Sequence, residues 1–159
     1  MSLSHVDDAG RARMVDVAAK PLSRRTALAE GMVRMTREAF ELVQQNAIAK
    51  GDVLRIAEVA GVMGGKRTGD LIPLCHPLAL DALIVECNAE PGLPGVRVTA
   101  SAVVTGRTGV EMEALSAVAI GCLTVYDMVK AVDRTMVIEN VRLLEKTGGT
   151  RGDWRRGEG

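Results

Sequence analysis

The chain has 159 residues, and its 20 Lys and Arg residues balance its 20 Asp and Glu residues, so that the formal net charge is zero. This balance creates no overall field toward nucleic acid or an anionic membrane, and three aromatic residues, Phe40, Tyr126 and Trp154, are too few to stack nucleic-acid bases. We therefore expect one domain over 1–159 that binds neither nucleic acid nor a membrane.

Residues 1–22 are predicted to form an N-terminal arm, in which the short piece 14–17, MVDV, has a strand-like pattern. The next segment, 25–35, contains Ala, Leu and Glu, which favour helix, but also Gly31 and a Val-x-Met alternation, which favour strand. We predict a strand there.

Two helices are predicted after this strand. Thr36 can cap a helix over 37–49, where apolar residues recur at helical spacing. Asp52 can cap a second helix over 53–65. The predicted buried face of the second helix consists of Val53, Ile56, Ala57 and Ala60.

The hydrophobic period changes after Pro77, where strands are predicted next. The Val-rich segments 82–90 and 96–106 are typical of a hairpin joined by the turn PGLPG. The longest helical pattern covers 111–132, and the alternation in 135–149 predicts a final strand.

The predicted order of strand, two helices, two strands, helix and strand is typical of an α+β fold of ferredoxin-like type, with helices packed on one face of an antiparallel sheet. The other face of such a sheet is open, so we expect a homo-oligomer that covers it. Residues 150–159 are predicted to be a loose, flexible tail.

The cysteines and the N-terminus indicate the compartment. Cys75, Cys87 and Cys122 are widely separated and include no CxxC pair, which indicates neither a disulfide framework nor a zinc site. The N-terminus lacks an apolar signal core, and the weakly polar run 114–126 is too short to span a bilayer. We expect a cytoplasmic protein.

An unusual mixture of side chains occupies 66–77, KRTGDLIPLCHP. Buried segments are usually apolar at a helix or strand period, whereas this one combines cations, an acid, a thiol and an imidazole. Pro73 and Pro77 restrict the backbone on both sides of Cys75 and His76. The pattern indicates a preshaped ligand surface; the alternative is a capped turn with a hydrogen-bonded, buried His.

His76 could act as a hydrogen-bonding group, as an acid or base, or as a metal ligand. His5 is the other histidine of the chain, and Cys75 is the neighbouring residue, so a transition-metal site has too few ligands at useful spacing. We expect no metal site.

The preceding residues, AGVMGGKRT, resemble a phosphate-binding loop without matching it. Ala60 stands at the first Gly position, and Arg67 follows Lys66 where Ser or Thr is required. Lys66 and Arg67 nevertheless remain cations that could bind a phosphate.

Asp127 and Lys130 lie three residues apart near the end of the longest predicted helix, so their side chains point the same way. One interpretation is an exposed ion pair on the helix surface. The alternative follows from the uncharged run 114–126, which predicts a buried helix. A partly desolvated Lys130 would have a lowered pKa suited to proton transfer, and Asp127 would hold its amine.

Glu111 and Glu113 lie in the first turn of the same helix, where carboxylates stabilise the helix dipole. Because they are two positions apart, we expect a ligand role to suit one of them. Cations at the ends of predicted elements suit a phosphorylated small-molecule substrate. These cations are Arg25, Lys50, Lys66, Lys130 and Lys146.

The segments KRTGDLIPLCHPL, TGVEMEALSAVA, LTVYDMVKAV and VRLLEKTGG, together with MVDV and KGDV, resemble the cyclic pyranopterin monophosphate synthase family, the molybdenum cofactor biosynthesis protein C family. The resemblance covers about 3–154. It implies an α+β, ferredoxin-like subunit in a homohexamer, a trimer of dimers with active sites at subunit interfaces.

The resemblance also implies a lyase that converts 3′,8-cyclo-7,8-dihydroguanosine triphosphate into cyclic pyranopterin monophosphate and releases pyrophosphate. This reaction needs proton transfers while the purine ring opens and rearranges, and cations near the phosphate that a sugar hydroxyl attacks. We expect no resident cofactor, although Mg²⁺ could accompany the triphosphate.

By resemblance, the catalytic residues are Asp127, as the acid, Lys130, as proton donor and acceptor, and Lys50. The implied substrate-binding residues are Leu74, Cys75, His76, Met112 and Glu113, with Lys66, Arg25 and Lys146 as triphosphate contacts. A different class of protein, a module that binds a nucleotide without turnover, is the alternative. The presence of Asp127 and Lys130 together with His76 favours catalysis, since binding alone would need only the cations.

The chain departs from the family pattern at a few positions. Gly64 and Gly65 stand where Ala or another small residue is common, and Gly69 stands where a larger side chain is frequent. We expect these glycines to loosen the end of the second helix. Thr150 stands where a basic residue is frequent, which leaves a contact between the tail and the substrate open.

Overall fold

The computed structural model describes residue 6 and residues 9–157. Expectations for 1–5, which include His5, for 7–8 and for 158–159 lie outside the described residues. Within the described part, the strands are β1 (Ser23–Arg34), β2 (Ala82–Glu90), β3 (Gly95–Gly106), β4 (Val137–Thr147) and β5 (Trp154–Arg155). The helices there are α1 (Arg37–Gln44), α2 (Val53–Lys66), α3 (Thr68–Leu71) and α4 (Glu111–Val129).

The strands form an antiparallel sheet in the order β2-β3-β1-β4-β5, so β1 lies at its centre. β2 and β3 form the predicted hairpin, and Glu90 lies opposite Gly95 at its turn. Burial alternates along β3, because every second side chain faces the layer formed by α2 and α4. The prediction of an α+β, ferredoxin-like fold is confirmed.

Glycines on α2 allow this helix to pack closely against α4. A Cβ at Gly64 would collide with the side chain of Ile120, and one at Gly65 would lie 3.0 Å from the carbonyl oxygen of Glu113. The helix continues through both positions to Lys66. The expectation that these glycines loosen the helix end is therefore wrong, since they remove side chains that would separate α2 from α4.

The buried face of α2 also differs from the prediction. Val53 and Ala57 are buried as expected, but Ile56 is 43% exposed and Ala60 is partly exposed. The glycines explain the difference, because the closest approach to α4 runs along the Gly61 side of the helix, where no apolar side chain marks the buried face.

The caps of α1 and α2 were predicted correctly, whereas the ends of α1 and α4 were placed too late. The Thr36 hydroxyl accepts a hydrogen bond from the Ala39 N–H, and Asp52 Oδ1 accepts one from the Arg55 N–H. α1 ends before Asn46, whose φ of 52° is left-handed and not helical. α4 ends at Val129, and 130–132 form a turn.

The arm contains less strand structure than predicted, and the tail contains more. The piece 14–17 forms no strand, although Val6 and Ala12 make an isolated bridge earlier in the arm. In the tail, Trp154 and Arg155 pair with Lys146 and Glu145 of β4. The expectation of a loose tail is therefore wrong at these two residues.

Among the helices of the described residues, α4 alone is long and apolar enough to cross a membrane. It packs against both α2 and the sheet, and Ala114, Ala117, Val118, Cys122 and Val125 are fully buried there. Its apolar sequence is therefore that of a core helix.

The face of the sheet opposite the helices carries a network of charged side chains. Glu30, which is 8% exposed, accepts hydrogen bonds from Arg97 Nη1 at 2.9 Å and from Arg142 Nη2 at 2.7 Å. Arg97 Nε also donates to Glu90 at 2.8 Å. A buried carboxylate needs such partners. The expectation that another subunit covers this face stays a prediction.

Candidate functional site

A cleft of about 330 Å³ opens at the N-terminal end of α4, beside the ends of β1 and β4. We call it the cationic cleft. It brings together the first strand, the segment after α3, the start of α4 and the end of the last long strand. Residues predicted as substrate-binding line it, namely Arg25, Leu74, Cys75, His76, Met112, Glu113 and Lys146.

Arg25 and Lys146 give the cleft its positive wall. Arg25 is 8% exposed, and its Nε donates a hydrogen bond to the carbonyl oxygen of Gly106 at 3.2 Å. Lys146 lies on the neighbouring strand, and its Nζ donates to the carbonyl oxygen of Gly152 at 3.1 Å. Cations from adjacent strands therefore border one space, as the binding of a polyphosphate requires.

The acidic wall of the cleft comes from the first turn of α4. Glu111 and Glu113 both line the cleft, and the expectation that a ligand role suits one of them stays a prediction. Three successive residues of the first turn of α4, Glu111, Met112 and Glu113, border the cleft. Burial raises the pKa of the Glu113 carboxyl, which is 4% exposed, and the charge of Glu111 adds to this shift.

Cys75 and His76 lie at the cleft between these two walls. Burial raises the pKa of the Cys75 thiol, and the nearby Glu113 raises it further, so this thiol remains protonated at neutral pH. His76 is partly exposed, which disagrees with the alternative of a buried His in a capped turn. The Cys75 thiol can therefore donate a hydrogen bond to a ligand but is a poor nucleophile.

Lys66 does not line the cationic cleft. It borders an adjoining recess of about 70 Å³, which shares Leu78 and Glu113 with the cleft. α3 turns the chain between Lys66 and the cleft, and the Thr68 hydroxyl donates a hydrogen bond to the Gly65 carbonyl oxygen at 2.9 Å. The segment 66–77 therefore contributes to both spaces.

Several residues that the sequence did not predict as site residues also line the cleft. Lys20 and Arg151 add cations, and Val15 and Val17 of the arm form part of its wall. Thr150, where a basic residue was expected, also lines the cleft. For Lys20 the available signal was the following Pro21, and for Thr150 and Arg151 it was the preceding Gly148 and Gly149, where the backbone turns.

Lys50, Asp127 and Lys130 form a separate group, which we call the lysine–aspartate cluster. Lys50 Nζ donates to the Asp127 carbonyl oxygen and to its Oδ2, each at 2.8 Å. Lys130 Nζ donates to Asp127 Oδ1 at 2.6 Å. Hydrogen bonds and charge from Lys130 and then Lys50 lower the pKa of Asp127 to about 2, so its carboxylate is ionised at neutral pH.

The cluster is exposed in this chain. The side chains of Lys50, Asp127 and Lys130 are 46%, 56% and 51% exposed. The expectation of a partly desolvated amine at the end of a buried helix is therefore wrong for the chain by itself. Met128 and Val129 of the last turn of α4 are buried, but Asp127 and Lys130 lie on its solvent-facing side.

The cleft and the cluster lie at opposite ends of α4. Met112 and Asp127 are fifteen residues apart on the same helix, which at 1.5 Å per residue corresponds to about 22 Å. The chain therefore does not bring all the predicted site residues into one pocket.

Metal binding has no support among the described residues, where no group of three or more His, Cys, Asp or Glu side chains could hold a metal ion. Whether a cofactor or Mg²⁺ takes part stays a prediction.

The chain is similar to known proteins over almost its whole length. A profile of the MoaC family matches residues 14–149. A cyclic pyranopterin monophosphate synthase from Methylobacterium sp. (strain 4-46) is 56% identical over 153 residues, which cover 96% of each chain. Proteins of the same name from Brucella ovis and Cereibacter sphaeroides (strain KD131) are each 55% identical. The Brucella protein aligns over 96% of this chain and 92% of its own, and the Cereibacter protein over 94% of each. The chain therefore belongs to the MoaC family.

Proposed function

We propose that this protein converts 3′,8-cyclo-7,8-dihydroguanosine 5′-triphosphate into cyclic pyranopterin monophosphate and pyrophosphate, as a lyase of molybdenum cofactor biosynthesis. The observation that carries the proposal is the identity of 55% and 56%, over almost the full length, to relatives named cyclic pyranopterin monophosphate synthase. The cationic cleft and the lysine–aspartate cluster supply the chemical groups that the reaction needs.

The substrate would lie in the cationic cleft. Arg25 and Lys146 would bind the triphosphate, with Lys66 reaching it from the adjoining recess. The remaining substrate contacts would come from the rest of the cleft, which is lined by Leu74, Cys75, His76, Met112 and Glu113. The acidic wall can accept hydrogen bonds from N–H groups of the purine, while the positive wall neutralises the phosphates.

Proton transfer would belong to the lysine–aspartate cluster. Ring opening and rearrangement of the purine require a group that donates a proton to a ring nitrogen and a group that accepts one from a sugar hydroxyl. Asp127 is ionised in the free chain, so the ammonium of Lys130 is the better donor and the Asp127 carboxylate holds it in place. Lys50 binds the other oxygen of that carboxylate and adds a second cation.

The release of pyrophosphate would depend on the cations of the cationic cleft. A sugar hydroxyl attacks the innermost phosphorus atom. The bond between this phosphorus and the bridging oxygen breaks, and pyrophosphate leaves with the electron pair. Negative charge grows on the bridging oxygen during this step, and the cations of the positive wall would stabilise it.

Two copies of the chain would be needed to assemble one complete site. The cleft and the cluster are separated by about 22 Å along α4, so a single substrate bound in the cleft cannot reach the cluster of the same chain. We propose a homohexamer, built as a trimer of dimers, in which one subunit supplies the cleft and its neighbour supplies Lys50, Asp127 and Lys130. The exposure of the cluster supports this arrangement.

The proposal also covers the compartment of the protein and the ion that accompanies its substrate. Cys75, Cys87 and Cys122 form no disulfide in the structure, which is consistent with a cytoplasmic location. An Mg²⁺ ion could accompany the triphosphate as part of the substrate.

The test is incubation with the cyclised GTP intermediate, with and without Mg²⁺, followed by measurement of pyrophosphate and of the pterin product. Formation of both supports the proposal. Tight binding of the intermediate without product would instead identify a nucleotide-binding module. Plain GTP is the control, because it can bind through its phosphates without carrying the bond that the reaction rearranges.

A further inference from the structure

The loop 148–153 is closed on itself by specific hydrogen bonds. The Gly148 N–H donates to Asp153 Oδ1 at 2.8 Å, and the Gly152 N–H donates to the Gly149 carbonyl oxygen at 3.2 Å. Directly after the loop, β5 pairs with β4. The loop is therefore fastened at its start by Asp153 and at its end by the sheet.

This loop lies against the cations of the cleft. Gly149 has a left-handed φ of +86°, and a Cβ there would collide with the guanidinium of Arg25. Gly148 has a left-handed φ of +81°, and a Cβ there would collide with the carbonyl oxygen of Arg24. Lys146 Nζ donates to the carbonyl oxygen of Gly152 in the same loop. The loop therefore contacts both the guanidinium of Arg25 and the ammonium of Lys146.

Asp153 itself does not line the cleft, although it fixes the loop that does. Its charge and its hydrogen bond predict opposite effects on anion binding. A carboxylate beside a cationic cleft repels a polyphosphate, whereas an acceptor that holds the loop keeps the cations in place. A substitution that removes the charge of Asp153 but keeps its hydrogen-bond acceptor can therefore show whether repulsion or positioning dominates.

We infer that Asp153 is a positioning residue that holds Arg25 and Lys146 in the geometry for binding a polyphosphate. For the triphosphate substrate, this inference rests on the proposed function. Asp153 acts through the hydrogen bond that its Oδ1 accepts from Gly148, and β5 completes the fastening.

The first test uses inorganic tripolyphosphate and the full-length protein in its native assembly, with affinity measured by calorimetry. Asp153→Ala should weaken binding about tenfold, since it removes the acceptor that holds the loop. Asp153→Asn keeps an Oδ1 acceptor and loses the charge, so it should bind within about twofold of the unmodified protein. Asp81→Ala, which removes an exposed carboxylate away from the cleft, is the control with the same change in net charge.

Three results would overturn the inference. The first is equal or tighter binding by Asp153→Ala, which would mean that charge outweighs positioning. The second is a large loss of affinity in Asp153→Asn. The third is no binding of tripolyphosphate by the unmodified protein. If Asp153→Ala does not fold, Asp153→Glu replaces it, because that variant keeps the charge but displaces the carboxylate and should also bind more weakly.

Trp154 provides a second readout that does not depend on catalysis. It is the single tryptophan of the chain, it lies on β5, and it is 40% exposed. In Asp153→Ala its emission should shift to longer wavelength and be quenched more by iodide, while Asp153→Asn should match the unmodified protein. An unchanged Trp154 signal in Asp153→Ala would show that the loop does not need Asp153.

Turnover separates this inference from the proposed function. Asp153→Ala should raise KM about tenfold for the cyclised GTP intermediate and leave kcat nearly unchanged, because the cluster that transfers protons is not altered. If the unmodified protein makes product but Asp153→Ala has an unchanged KM, the positioning role is refuted and the proposed reaction stands. Loss of tripolyphosphate affinity in Asp153→Ala, with no product from the unmodified protein, would support the positioning role and refute the proposed reaction.

Discussion

The two ends of α4 carry functional residues in very different surroundings. At its N-terminal end, the chain encloses the cationic cleft with several elements, and Glu113 is 4% exposed. At its C-terminal end, Asp127 and Lys130 form an ion pair that is more than half exposed. Exposed ion pairs contribute little to stability and are screened by salt. One chain therefore encloses the binding region by itself, whereas it leaves the lysine–aspartate cluster open to solvent.

The largest expected effect comes from removing the amine at the exposed end. Lys130→Ala should abolish turnover, a loss of about 10²-fold to 10⁴-fold or more, because it removes a proposed proton donor. Folding should be intact, since the side chain is 51% exposed. The measurements are product formation and thermal unfolding. Arg134→Ala, a nearby exposed cation, is the control. Product at the normal rate from Lys130→Ala would refute the assignment.

A mixing experiment tests directly whether the two ends serve one site. Arg25→Ala disables the cleft and Lys130→Ala disables the cluster, so each variant alone should be inactive. Hexamers reassembled from an equal mixture should recover activity at about a quarter of the sites, where an intact cleft meets an intact cluster. The readout is pyrophosphate release after dissociation and reassembly. No recovery in confirmed mixed assemblies would mean that each chain uses its own two ends.

A substitution in the enclosed half should affect stability instead. Gly65→Ala places a methyl group 2.5 Å from Leu83 of β2 and 3.0 Å from the Glu113 carbonyl oxygen of α4, so the Leu83 side chain must shift and α2 must move away from α4. We expect a loss of about 1–3 kcal/mol in the free energy of unfolding, measured in urea. Gly92→Ala, where a Cβ meets nothing within 4 Å, is the matched control and should change stability by less than about 0.5 kcal/mol. Equal effects of the two would contradict the close packing.

The smallest expected effect concerns pH and the carboxyl of Glu113. Burial raises its folded-state pKa above the ordinary value of 4.5, so the folded protein binds this proton more strongly than the unfolded chain. The resulting stability is fully present below pH 4.5 and is lost as the pH rises through the folded-state pKa. Glu113→Gln cannot ionise and should show a flatter dependence in this window, with higher stability than the unmodified protein at neutral pH.

The control for this pH measurement is Glu38→Gln, which changes an exposed carboxylate in the first turn of α1. Its unfolding free energy should follow the pH dependence of the unmodified protein. If Glu113→Gln follows it as well, burial of Glu113 does not control its ionisation.

The elements of the fold could be predicted because their signals are local. The caps at Thr36 and Asp52, the Val-rich hairpin and the long apolar helix each depend on neighbouring residues. The face of α2 could not be predicted in the same way. Its contact with α4 is made by Gly61, Gly64 and Gly65, and glycine gives no signal in a hydrophobic pattern.

The site shows the same division. Motifs and resemblance identified Arg25, Cys75, His76, Glu113 and Lys146, which the fold brings to the cleft. Lys20 and Arg151 were missed, because a surface cation has no sequence signal until the chain around it is placed. For Lys130 the sequence left an exposed ion pair and a desolvated amine as alternatives, and the structure shows the exposed pair. A run of apolar residues does not determine which side of the last helical turn faces solvent.

The sequence by itself determined the family, the α+β class and the identities of the groups that could carry the chemistry, because each depends on residue type and local spacing. The tertiary structure decided where those groups lie. A helix of 19 residues keeps its ends apart, so Glu113 and Lys130 cannot border one pocket of the same chain. It also decided that the tail returns to the sheet, since the pairing of Trp154 with Lys146 depends on contacts that no local pattern encodes.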